Sequence, residues 1–179
     1  MNVYPRTELF RRLNPKNEWW NHSWINIDIY ELEPDEHLDP KKLLARLINS
    51  PNFKCDYVGS SKTTGDVHNT FFVTSFHANS YIRNTKEEAI KFIQDFPYSL
   101  WIDYPEKLAK VPRSPSYETD DQIWIQNNIL AEIEKTTSTF WLDKKDLVVN
   151  DRYLIDDDLF HELVIITPTA LLEVVMNSD

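Results

Sequence analysis

Residues 24–30 read Trp24-Ile25-Asn26-Ile27-Asp28-Ile29-Tyr30, with three isoleucines alternating against polar and aromatic neighbours. That two-residue period predicts a strand that buries one face. Just downstream, Asp39-Pro40 places a capping side chain before a first-turn proline. Leu43, Leu44, Leu47 and Ile48 follow at helical spacing, which predicts a helix ending near Ser50-Pro51. Phe53 to Val58 and Asn69 to His77 read as two strands of a hairpin, joined across 59–66, which holds both glycines of the chain. Thr85 with Glu88 three residues on forms a capping box. It starts a second helix whose buried stripe is Ala89, Ile90, Phe92, Ile93 and Phe96. Ser99 to Asp103 reads as a strand. The order strand, helix, strand, strand, helix, strand over 24–103 is that of a ferredoxin-like, split βαβ sheet, an α+β fold of four antiparallel strands under two helices.

Residues 105–118, bounded by Pro105, Pro112 and Pro115, resist regular structure and read as a connector between a 1–104 region and a 119–179 region. The second region starts with a helix near Thr119, with Asp120 and Asp121 at the positive end of its dipole and Ile123, Ile125, Ile129, Leu130 and Ile133 as its apolar set. Thr139–Leu142, Leu147–Val149, Arg152–Ile155 and Leu159–Ile166 read as a β-meander. Thr167-Pro168 then suggests a short C-terminal helix through Met176. At about 60 residues this unit is too small to stand alone and is expected to dock on the first.

Charge is distributed unevenly. The net charge is −10, of which residues 1–118 contribute −1 and residues 119–179 contribute −9. Such a field favours cationic partners. In a meander, Asp143, Asp146, Asp156, Asp157 and Asp158 share one end, and with Glu162 and Trp141 they form the expected partner-binding surface. The plainer reading is that aspartate is a good turn residue and that solvated loops collect charge.

Catalytic signatures are absent. Cys55 is the only cysteine, which excludes an intrachain disulfide and suits a reducing cytoplasm. No run reaches the length of a membrane span. Gly59 to Gly65 lacks the Gly-Lys-Ser/Thr and helix of a phosphate loop, and His161-Glu162 lacks the second histidine of a zinc-protease helix, since residue 165 is Ile. No cofactor and no catalytic residue is assigned. The composition therefore points to a non-enzymatic acidic binding or inhibitor protein, of the immunity, antitoxin or nucleic-acid-mimic type, that occludes a basic protein such as a nuclease. The alternative is a divalent-metal hydrolase using Asp156, Asp158, His161 and Glu162.

The element order and Thr70-Phe71-Phe72-Val73 also resemble an RNA-recognition domain. That resemblance implies base stacking on Trp24, Tyr30 and Trp101 of an uncovered sheet face. His68-Asn69 stands where that family has a basic residue and glycine, and Asp28 sits among its stacking positions. The charge of −10 opposes phosphate binding, so direct nucleic-acid contact ranks below the other two readings.

Overall fold

Strand β2, Ser23–Glu31, is the alternating segment. It pairs antiparallel on one side with β1, Thr7–Arg12, and on the other with β10, Ala170–Ser178. The computed structural model describes residues 1–2, 4–13, 23–56, 63–99, 119–150 and 160–178. Past β10 the sheet continues through β9, His161–Ile166, and β8, Ser138–Leu142, to β7, Tyr81–Asn84, giving the antiparallel order β1-β2-β10-β9-β8-β7. The fold is therefore α+β, but its sheet has six strands among the described residues, not the four of the expected ferredoxin-like arrangement.

Alternation along β2 and β10 builds two cores. Ile25, Ile27, Leu172, Val174 and Met176 face one way, against Ala89, Ile93 and Phe96 of α2, Lys86–Ser99, and against Ile125, Ile129 and Ile133. Those three isoleucines come from α3, Thr119–Ile125, a π-helical turn, Gln126–Leu130, and α4, Ala131–Glu134. Trp24, Tyr30, Leu171 and Val175 face the other way, against Leu43, Leu44, Leu47 and Ile48 of α1, Pro40–Ile48, and a cluster of phenylalanines. Trp24 and Tyr30 are thus buried, not left bare for bases. Trp101 lies outside the described residues.

The caps expected at Asp39 and at Thr85 with Glu88 are present. The Lys42 amide donates to the Asp39 carboxylate at 3.2 Å, and Thr85 and Glu88 exchange bonds of 2.8 and 3.1 Å.

The departures have local causes. Residues 69–77 do not form one strand, because Asn69 adopts a left-handed conformation, φ 53°, that closes a tight turn between β5, Val67–His68, and β6, Phe71–Phe72. A 3₁₀ turn, Val73–Ser75, follows, and Cys55–Asp56 (β3) pairs with Thr63–Thr64 (β4). Of the expected strand at 99–103, Ser99 is the last residue of α2 and 100–103 lie outside the described residues.

Of the expected meander, Leu147–Val149 contributes one bridge, Phe71 to Val149, and 152–155 lie outside the described residues. The expected C-terminal helix is instead the buried strand β10. Thr167 does accept from the Ala170 amide at 3.0 Å, as a cap would, but the bond closes the β9–β10 turn. Val174-Val175 within an apolar run favours extended chain buried on both faces. The connector at 105–118 is outside the described residues, and strands from both sides of it interleave in one sheet.

Candidate functional site

Pairing of β8 with β9 sets Trp141 opposite Leu163, so Asp143 and His161 emerge at the same end of the sheet. Asp143 is half-buried, and its carboxyl is held below the ordinary aspartate range by the Lys145 amide and by the Lys145 ammonium 3.1 Å away. Lys144 donates to the Phe160 carbonyl at 3.1 Å, while Asp146 is exposed. Asp156, Asp157 and Asp158 lie outside the described residues. Trp141 is half-buried, tilted against Phe92 with ring centroids 5.9 Å apart, and its cross-strand neighbour Ile82 is 44% exposed on β7. A recess of about 240 Å³ opens here, lined by Phe92, Trp141, Leu142, His161 and Glu162.

His161 and Glu162 diverge. Adjacent strand residues point to opposite faces, so His161 packs edge-on to Phe92 and Phe96 beneath α2, while Glu162 enters the α1 side and is 2% exposed. Glu162 is therefore not part of a wet acidic rim. The pair is also not set to hold one ion together, as the Asp156, Asp158, His161 and Glu162 alternative requires.

Desolvation, with a smaller push from Lys144, lowers the His161 pKa from 6.5 to about 4. As pH falls, the unfolded chain takes up this proton first, so stability is full above pH 6.5 and drains between 6.5 and about 4. Urea unfolding at pH 7 and pH 4.5 should show wild type losing roughly 2–3 kcal/mol more than His161→Leu. Parallel losses in the two proteins would remove His161 as the cause.

On the α1 side lies a polar cluster that charge counting misses. Asp28, Glu162 and Glu173 are all 2% exposed or less, on β2, β9 and β10, and His68, fully buried at the end of β5, reaches the two glutamates. His68 Nδ1 donates to the Phe53 carbonyl at 2.7 Å, and Nε2 lies 2.9 Å from Glu162 Oε2 and 3.8 Å from Glu173 Oε1. The Tyr81 hydroxyl donates to Glu162 Oε1 at 2.6 Å, and Asn26 donates to Asp28 at 3.1 Å. Burial raises the Tyr81 pKa well above its ordinary value, and the Glu162 and Glu173 charges add to this, so Tyr81 remains a donor. The Phe53 ring stacks on His68 at 3.8 Å and 1°, while Phe76 and Phe160 meet it edge-on.

The sequence does carry a signal for this cluster. Asp28 interrupts an alternating isoleucine strand, and Glu173 interrupts Leu171-Leu172-Val174-Val175, places where an acid must be buried. His68 and Tyr81 have no such mark, because only the tertiary fold brings them there.

No family model matches this chain, and no curated protein and no solved structure matches it.

Proposed function

We propose that this protein is a non-enzymatic binding protein that occludes a basic protein partner, an inhibitor of the immunity, antitoxin or nucleic-acid-mimic kind. The reading is carried by one juxtaposition. Phe92, Trp141 and Leu142 line a recess, with the exposed Ile82 beside Trp141, at the sheet end where the acidic β8–β9 connection begins and returns. An apolar centre with a charged border is the anatomy of a protein interface, in which an aromatic anchor supplies energy and charge supplies steering and selectivity. Lys145 offsets Asp143, so Asp146 and the aspartates at 156–158 carry the steering in this reading. The metal-hydrolase alternative loses support from the divergence of His161 and Glu162, and RNA stacking from the burial of Trp24 and Tyr30.

Affinity capture with mass spectrometry at low and high salt tests the reading, using wild type, Trp141→Ala, and lysine replacements at Asp146, Asp156, Asp157 and Asp158. Basic proteins should be retained at low salt, released at high salt, and lost with the lysine variant. For a captured partner, Trp141→Ala should weaken binding by about 2 kcal/mol, roughly 30-fold and mostly through dissociation, while charge reversal slows association. Retention indifferent to salt and to both variants would sink the proposal.

A further inference from the structure

The contacts around His68 leave a place for positive charge between the imidazole and two buried carboxylates. A neutral imidazole carries one N–H. The Phe53 carbonyl can only accept, so that hydrogen is on Nδ1, and Nε2 turns a lone pair toward Glu162 Oε2 at 2.9 Å. At that distance a positive charge belongs between them, which a proton supplies in the metal-free protein and a metal ion supplies when bound. Glu162 Oε1 is meanwhile engaged by Tyr81, which leaves Oε2 as the oxygen presented to the imidazole.

From this arrangement we infer that His68, Glu162 and Glu173 form a binding site for a divalent transition cation of the zinc class. Donor atoms of the three residues lie within 4.8 Å of one another. With metal–ligand bonds of about 2.0–2.1 Å, donors 2.9 and 3.8 Å apart subtend angles of roughly 90° and 135°, and the two carboxylates, at most 4.8 Å apart, need close by no more than about 0.7 Å to share the ion in a distorted tetrahedral site. One imidazole nitrogen with carboxylate oxygens suits zinc, manganese or iron, whereas calcium seeks six or more oxygens.

The surrounding shell fits the same role. A ligating histidine characteristically gives its other N–H to a carbonyl, as His68 does to Phe53, and a ligating carboxylate is itself hydrogen-bonded, as Glu162 is by Tyr81. All three ligands are fully buried, and three phenylalanine rings enclose the imidazole, so the ion would sit away from solvent and act through the parts of the fold it joins. It fastens the irregular segment between α1 and β7 onto the centre of the sheet.

Full-length protein stripped with chelator and titrated with Zn²⁺ by calorimetry should take up one ion per chain, with a rise of several degrees in Tm. Co²⁺ should give the visible bands of a four-coordinate site and paramagnetic shifts at the Tyr81 and Phe53 rings. Glu162→Gln with Glu173→Gln, close in shape to the native pair, should weaken binding about 100-fold or more. Absence of one-to-one uptake by wild type, response to Ca²⁺ or Mg²⁺ but not Zn²⁺, or cobalt that leaves Tyr81 and Phe53 undisturbed would each overturn the inference. So would affinity unchanged in the folded double variant. The cobalt shifts need no substitution, so the question is decided even if that variant does not fold.

Discussion

His68→Ala should lower the unfolding free energy in metal-free buffer by about 3–5 kcal/mol, a large part of the roughly 5–15 kcal/mol typical of a domain. Two losses combine. The ring leaves a void inside three phenylalanines, and Glu162 Oε2 and the Phe53 carbonyl lose the group placed between them. His68→Phe separates the two, because it restores volume without restoring any polar partner, and it should recover less than half of the loss. Urea unfolding at pH 7 measures both. A deficit under about 1 kcal/mol for the alanine variant would show that the cluster does not hold the β5–β6 turn to the sheet.

The second large effect is expected on the opposite face. Phe96 is fully buried among Ile93, Ile129 and Leu163 and meets the His161 ring edge-on at 5.9 Å. Phe96→Ala should cost about 3–5 kcal/mol through lost burial and the cavity left behind. A second consequence distinguishes this substitution from ordinary core damage. Water admitted beside His161 should move its pKa from about 4 back toward 6.5 and flatten the acid dependence of stability. Titration of the His161 ring by NMR reads this directly, and an unmoved midpoint would mean that α2 closes over the gap.

What could be read from the residues, and what could not, divides along physical lines. Local signals were legible. The isoleucine alternation of β2, the Asp39 cap and the Thr85–Glu88 box each rest on contacts within a few residues, and each is present. Partner choice between strands was not legible. Nothing in 24–30 tells that strand to pair with 170–178 in preference to a nearer segment, and the ferredoxin-like order assumed neighbours that the chain does not use. Thr167-Pro168 shows how one chemistry serves two ends, since the same hydroxyl-to-amide bond can start a helix or close a turn.

For the candidate site, the acidic excess was visible but its wetness was not. Glu162 contributes to the charge count yet is buried, and Asp143 is already matched to Lys145. The buried cluster needed residues from four separate parts of the chain to converge, which no spacing rule captures.

The position of β10 bears on how this chain reaches its structure. It lies between β2 and β9, and its partner β2 is far away along the polypeptide. Until β10 arrives, β2 and β9 each expose a row of unsatisfied amides and carbonyls beside apolar side chains, a template for another molecule's strand. Such non-local closure places refolding on the slow side, on the order of milliseconds to seconds. That delay gives self-association its opportunity, so recovery from denaturant should fall steeply as protein concentration rises.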